Sequence, residues 1–289
     1  SNNMEVVNRI EYDDTLLPQG SDLWLETRKK YGTASEASAA MGVSPWIPKT
    51  PLQLWELKNG ELKVKKNFAM TIGNEFEDEA RECFQNKLQK VFEPCCIVGE
   101  IDGMPLMASL DGKETWSNIN GTRAGKPEIL EIKVPLNGSE SPLWKTMIYD
   151  ESLPHQYEVQ MEQQMMLAEQ DKCHFWVYDR HNKEGKHRIH YSNPELREEI
   201  LDAWKEYFKG KPEPGPNDIL KREDEQWKEL AFFWKEARDE KLLQEGRMET
   251  MKKELITLCE GHSHQGAGVR VRYNEDKDRW TITKIGARD

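Results

Sequence analysis

The chain has 289 residues, with 41 Lys and Arg against 52 Asp and Glu, a formal charge of −11. Hydrophobic residues make up 37% and charged residues 32%, enough for one large domain plus an appendage or two small domains, each with its own core. No run approaches the roughly 18 apolar residues of a membrane-spanning helix, no basic segment followed by an apolar stretch opens the chain, and the acidic balance argues against a protein that coats DNA in bulk. The expectation is a cytoplasmic protein with no membrane partner.

Ser1-Asn2-Asn3 ahead of Met4 reads as a vector-derived remnant and is set aside. Helical segments are expected around Ser21–Lys30 and Ser35–Met41, punctuated by Gly32 and Gly42. Short and long helices follow over Pro51–Asn59 and Ala69–Leu88; in the second, Ile72, Phe76, Ala80 and Phe84 recur every four residues. Val91–Val98, Pro105–Leu110 and Glu128–Val134 have strand composition, with a Gly/Asn/Thr-rich turn over Gly112–Lys126. Tyr157–Ala168 reads as a helix, His174–Asp179 and His187–His190 as paired strands, and Pro194–Phe208 as a closing helix. The fold class is therefore mixed α/β, with a central sheet flanked by helices.

A Pro/Gly linker over 211–218 separates residues 1–210 from an extension, 219–289. In the extension, Trp227, Leu230, Trp234, Ala237, Met248 and Met251 follow heptad spacing, broken at Lys241 and Gln244. Gly246 marks a point where a helical hairpin would divide, and an alternating β-hairpin closes the chain. The bland reading of this segment is a packing or oligomerisation element. The five cysteines form no C-x-x-C pair and read as free thiols; Cys259, His262 and His264 lack a fourth ligand for a zinc site.

The residues that carry chemistry lie in Ser109-Leu-Asp111-Gly112 and Glu131-Ile132-Lys133. Residues two apart on a strand share a face, so Glu131 and Lys133 point together while Ile132 points into the core. A hairpin through the intervening turn would bring Asp111 beside Glu131. Two carboxylates converging with a lysine suit Mg²⁺, a hard cation that prefers oxygen ligands and keeps several waters; a pair of ions about 4 Å apart would serve phosphodiester hydrolysis. Asp111 would be the shared ligand, Glu131 and the main-chain carbonyl of Ile132 would complete a shell, and Lys133 would orient or help deprotonate the attacking water.

Three further groups extend this site. Glu77 lies on the long helix among other acids, either as solvated surface or as an additional metal-site acid. Gln160 lies one helical turn from Gln164, either at the surface or aimed at the phosphate. Arg28, with Ser35 as the cap of the next helix, offers a fork and free N–H groups to an anion.

Taken in order, Trp24-x3-Arg28, Gly32-Thr33-Ala-Ser35, Gly42-Val-Ser-Pro45-Trp46, Gly73-x3-Glu77, Ser109-Leu-Asp111-Gly112, Glu131-Ile-Lys133 and Tyr157-x2-Gln160 resemble the lambda-exonuclease/YqaJ-like viral recombinase family, a branch of the PD-(D/E)XK restriction-endonuclease-like fold. The resemblance spans residues 20–210. It implies a 5′→3′ exonuclease that digests one strand of linear double-stranded DNA and leaves 3′ single-stranded overhangs for recombination by strand annealing. It implies Asp111, Glu131 and Lys133 as the catalytic trio, with Glu77 and Gln160 supporting. Asp111, Glu131, Ile132 and Glu77 would hold two Mg²⁺ ions, with Mn²⁺ as a substitute. Arg28, Thr33, Ser35 and Ser109 would bind the 5′ phosphate and DNA. A ring-shaped homotrimer and a single-strand annealing protein would be the partners. Leu110 stands where the family commonly has proline. The alternatives are a restriction-like endonuclease of the same fold, or a non-catalytic interaction protein.

Overall fold

The computed structural model describes residues 5–115 and 126–286; Ser1-Asn2-Asn3 and most of the expected Gly112–Lys126 turn lie outside the described residues. The chain separates into two compact units, 1–219 and 220–289.

The first unit is built on a mixed sheet. Its strands are β1 (Val6–Asp13), β2 (Gly32–Thr33), β3 (Phe92–Ile101), β4 (Met104–Glu114), β5 (Ile129–Lys133), β6 (Lys172–Asp179) and β7 (Glu184–Tyr191). They run in the order β1-β3-β4-β5-β6-β7, with β2 paired alongside β4. β5 and β6 are parallel, and the connection between them carries α5 (Pro142–Tyr149) and α6 (His155–Ala168), as a parallel crossover requires. The remaining neighbours along the path pair antiparallel.

Alternation on the strands creates two layers. Ile129, Phe175 and Val177 pack with Met161 and Met165 of α6 in the larger core. Leu130, Ile132, Trp176 and Tyr178 pack on the opposite side with Ala80 and Phe84 of α4 (Phe68–Leu88). The four-residue apolar spacing in α4 thus marks its buried stripe, as expected. Helices α1 (Asp22–Arg28), α2 (Ala37–Ala40), α3 (Pro51–Lys58) and α7 (Pro194–Tyr207) complete the unit. Their starts are chemically marked: Ser21, Thr50 and Asn193 each accept a backbone N–H of the first turn, and Pro51 and Pro194 open α3 and α7.

β2 has no counterpart in the sequence expectation, and three further elements differ from it. β1 lacks a run of buried alternation, because it lies at the sheet edge with mostly exposed side chains. α5 follows a Ser141-Pro142 start that the turn-rich composition of its surroundings obscures. In the second unit, α8 (Glu225–Leu258) is continuous through Gly246, so no helical hairpin forms. Within that unit, β8 (His264–Gly266), β9 (Val269–Asn274) and β10 (Arg279–Lys284) make a three-stranded antiparallel sheet, and β8 likewise has no counterpart in the sequence expectation.

Candidate active site

A β-bulge shapes the centre of the site. β3 pairs with β4 at Cys95↔Leu110 and at Glu93↔Lys113, so Pro94 faces two residues, Asp111 and Gly112. Proline suits that place because it has no N–H to lose from the ladder, and the extra residue re-aims the strand. Gly112 is required there: a Cβ would sit 2.7 Å from Cβ of Phe92 and 3.2 Å from Cβ of Leu130. Among the described residues β4 then pairs with β5 at Gly112↔Leu130 and Lys113↔Ile129, and the N–H of Glu114 donates to the carbonyl of Glu128. Where the ladder ends, Oδ2 of Asp111 accepts the N–H of Ile132 at 2.7 Å. A carboxylate thus replaces a backbone carbonyl, and Asp111 and Glu131 meet at the mouth of the strand pair.

The predicted trio comes together. Nζ of Lys133 lies 3.0 Å from Oε1 of Glu131 and 4.7 Å above the ring of Tyr157. α6 covers this side: Gln160 accepts from Nζ of Lys133 and donates to Oε1 of Glu131, each at 3.3 Å. Gln164 donates to Oε2 of Glu131 at 2.8 Å. Asp111 and Glu131 are both buried. Burial pushes the Asp111 carboxyl well above its ordinary range, and the charges of Glu131 and Glu77 push it further; Lys133 and the Ile132 N–H only partly offset this. Burial works the other way on Lys133, but Glu131, Tyr157 and Asp111 hold its ammonium above the ordinary lysine value.

Glu77 reaches this centre indirectly. Its carboxylate accepts Nη2 of Arg81 at 2.6 Å, while Nε of the same guanidinium donates to the main-chain oxygen of Asp111 at 2.7 Å. Arg81 itself gives no spacing signal beyond its i+4 relation to Glu77. It clamps the helical acid to β4.

The metal expectation can be tested on these groups. Among the described residues, no three His, Cys, Asp or Glu side chains form a ready cage. The donors present are instead two buried carboxylates and a main-chain carbonyl, all oxygen, with a surplus of negative charge expressed in the raised Asp111 carboxyl. Oε1 of Gln164 is also buried beside Glu131 without a hydrogen-bond partner. An oxygen set of low denticity fits a hard cation that retains water.

A second cluster gathers the other predicted residues. Nη2 of Arg28 donates to Oγ of Ser35 at 3.3 Å, and Ser35 lies 3.4 Å from Oγ1 of Thr33. The guanidinium stacks 4.5 Å over Trp24, whose Nε1 donates to Oγ of Ser109 at 2.9 Å. Ser109 precedes Asp111 by two residues on β4, so the strand connects this cluster to the trio.

The cap differs from expectation. Thr33, not Ser35, caps the turn that leads into α2: Glu36 accepts both the N–H and the hydroxyl of Thr33, at 3.2 and 2.6 Å. That leaves the Ser35 hydroxyl beside Arg28. Lys58 joins the cluster without any signal in the sequence. Its Nζ donates to Glu36 at 2.8 Å and to the carbonyls of Arg28 and Tyr31 at 2.7 Å each, and burial lowers its pKa. A cleft of about 590 Å³, lined by Arg28, Lys29, Glu36 and Lys58 among others, opens beside this cluster.

The YqaJ-like viral recombinase domain profile matches residues 23–171, more than half of the chain. The chain belongs to the YqaJ-like viral recombinase family. The matched stretch contains both clusters, from Trp24 through Gln164. Among solved structures, the chain is similar to an alkaline exonuclease from Laribacter hongkongensis, at 21% identity and a TM-score of 0.49, over 65% of this chain and 91% of that one. It is also similar to a phage related exonuclease from Haemophilus somnus 129PT, at 13% identity and a TM-score of 0.42, over 62% and 93%. No match was found among curated proteins.

Proposed function

We propose that this chain is a Mg²⁺-dependent 5′→3′ exonuclease that degrades one strand of linear duplex DNA and leaves a 3′ single-stranded overhang for annealing. The observation that carries this reading is the meeting of Asp111, Glu131 and Lys133 where β4 and β5 part, beside the bulge opposite Pro94.

Asp111, Glu131 and the carbonyl of Ile132 would hold the cation, with Glu77 kept nearby by Arg81. A bound divalent ion supplies charge neutralisation at the phosphate and acidifies water. Glu131 is fixed from both oxygens, by Lys133 and Gln160 on one and Gln164 on the other, so its position does not depend on the ligand. Glu131, Tyr157 and Asp111 hold the Lys133 ammonium above the ordinary lysine value. The ammonium therefore orients the attacking water and offsets charge at the phosphate rather than removing a proton. Arg28, with the hydroxyls of Thr33, Ser35 and Ser109, would receive the terminal 5′ phosphate. The acidic balance of the whole chain does not oppose this, because the phosphate contacts are local. Assembly as a homotrimeric ring, partnership with a single-strand annealing protein, activity with Mn²⁺ and residence in the cytoplasm complete the proposal.

The deciding assay uses linear duplex with one end 5′-phosphorylated and labelled, with and without Mg²⁺, beside a covalently closed circle. Nucleotides should be released from the phosphorylated 5′ end of the linear substrate only, and only with metal. Cutting of the circle would turn the reading toward an endonuclease; no release from either would end it. Arg28→Ala should remove the preference for the phosphorylated end, and equal loss on both end types would refute its assignment.

A further inference from the structure

The second unit exposes a helix that has the sequence of a partnered one. None of the 34 residues of α8 is buried, although Trp227, Leu230, Trp234, Met248, Met251 and Leu258 lie on a single heptad seam and are each more than half exposed. At 1.5 Å per residue the seam is about 50 Å long. We infer that α8 pairs side by side with α8 of a second copy of this chain, antiparallel, in a two-fold symmetric coiled coil centred between Lys241 and Gln244.

Three observations choose that occupant and that direction. The first is the symmetry of the seam. Counted outward from the midpoint of Lys241 and Gln244, each seam residue finds its counterpart at equal distance. Antiparallel pairing therefore sets Lys241 against Gln244, Ala237 against Met248 and Trp234 against Met251. Leu230 then meets Leu255, and Trp227 meets Leu258. The two polar seam positions that interrupt the apolar run face each other, so neither is buried against an apolar layer. A small residue meets a large one at Ala237 and Met248, which suits interdigitation. A two-fold axis makes every pair occur twice.

The second observation is charge. In an antiparallel pair, the residues flanking the seam meet like positions of the other helix. This sets Arg238 against Glu245 and Glu240 against Arg247, twice each. A parallel, in-register pair would instead set Glu240 against Glu245 and Arg247 against Lys252. The four attractive contacts would be lost and four repulsive ones would form, so the flanks select the antiparallel form.

The third is shape at the end of the seam. Leu255, Leu258 and Cys259 line a groove of about 200 Å³ with His264, Gly266 and Val269 of the small sheet. The groove lies at the seam position that the second copy's Trp227 would occupy. It gives the largest seam side chain a concave, mainly apolar seat. This pairing involves the second unit alone and is independent of the nuclease reading.

Cysteine cross-linking of the full chain tests direction and partner together. Ala237 and Met248 are exposed, so Ala237→Cys and Met248→Cys should both fold. Under mild oxidation, an equal mixture of the two variants should give a covalent dimer carrying one of each, well above the wild-type background from its native thiols. Either variant alone should not. Self-linkage of a single variant, or no linkage above background in the mixture, overturns the proposal. Charge supplies the second arm. Glu240→Arg, introduced into both cysteine variants, should lower the mixed cross-link yield by roughly tenfold, and adding Arg247→Glu should restore it. These two residues are seven apart on one helix and cannot compensate within a chain, so failure of the rescue would also overturn the pairing.

Discussion

Helices α6 and α8 invert the usual relation between polarity and burial. α6 has 14 residues, nine of them buried, and these include Glu162, Gln163 and Gln164 at 0% exposure. α8 has 34 residues and buries none, though it carries Trp227 and Trp234. Each buried polar group of α6 has a specific use. Gln164 holds Glu131. Gln163 donates to the carbonyls of Gly32 and Met107 and accepts from Trp204, tying β2, β4 and α7 together. Glu162 accepts from His190, Arg197 and the N–H of Asn193. In α6 polar groups are buried where partners hold them, with Oε1 of Gln164 the exception, and in α8 apolar atoms stay exposed where a partner is still to come.

The sharpest way to break the comparison is at the carboxylates themselves. Asp111→Asn should cost at least about 10³-fold in kcat, and Lys133→Ala about 10²–10³-fold, as loss of an electrostatic stabiliser does elsewhere. The same Asp111→Asn change should make the metal-free protein more stable. The folded pKa of Asp111 is raised, so its contribution to stability is complete below the unfolded pKa and is lost as pH rises through the folded value. Above the unfolded pKa the buried carboxyl therefore works against folding until a cation arrives. Thermal unfolding without metal reads this directly, and a lower Tm for the variant would contradict the surplus of charge at the site.

Glu162 tests whether the polar burial in α6 is structural. Its carboxylate receives 2.8 Å hydrogen bonds from His190, Asn193 and Arg197. Glu162→Ala leaves the Arg197 guanidinium with the Gln170 carbonyl alone and should cost about 3–5 kcal/mol, whereas Glu162→Gln should cost less. Denaturant midpoints separate the two. A loss below about 1 kcal/mol would show that α6 merely tolerates these groups.

A smaller effect is expected from His174, which is buried, and His187, half-buried against it. His174 lies between Glu128 and His187, with Nδ1 2.8 Å from Nε2 of His187. Burial first, then the charge of His174 and Lys87, brings His187 down from 6.5 to about 4, and burial also lowers His174. Both groups are held below their unfolded values, so the unfolded chain takes up protons first. Stability should be intact above about pH 6.5 and fall as pH drops from there toward 4. Burial would raise the Glu128 carboxyl, but Lys90 and His174 outweigh it and bring the group down to about 2, which adds a further loss below about 4.5. A Tm series over this range, flattened in His187→Gln, is the measurement.

Legibility in the sequence depends on distance along the chain. The trio is readable because Glu131 and Lys133 lie two apart on a strand and Asp111 lies just across one hairpin. The two-layer fold follows from the stripe of α4 and the alternation in β5. The bulge is not readable: it depends on Pro94 meeting Asp111 and Gly112, a register relation that spacing within β4 does not encode. Lys58, Arg81 and the cap at Thr33 escape notice for a related reason. Their partners are set by how helices dock on the sheet, and a lone Lys or Arg looks like ordinary surface. The domain limits expected at 210 and 219 remain a proposal about independent folding.

Gly246 gives the smallest effect and the cleanest contrast between a helix break and a helix interior. As the turn of a helical hairpin it would occupy a conformation that glycine favours, and alanine would strain it. In a continuous α8 it is an interior position, and a Cβ added there would have nothing within 4 Å. It also lies on the side of the helix opposite the Lys241–Gln244 seam, so a methyl group meets neither its own chain nor a second copy. Gly246→Ala should therefore stabilise the helix by up to about 1 kcal/mol and leave cross-linking through Ala237→Cys and Met248→Cys unchanged. Circular dichroism during thermal unfolding of the full chain checks the first part. A destabilised variant would restore the hairpin, divide the seam at its centre and remove the symmetry on which the antiparallel pairing depends.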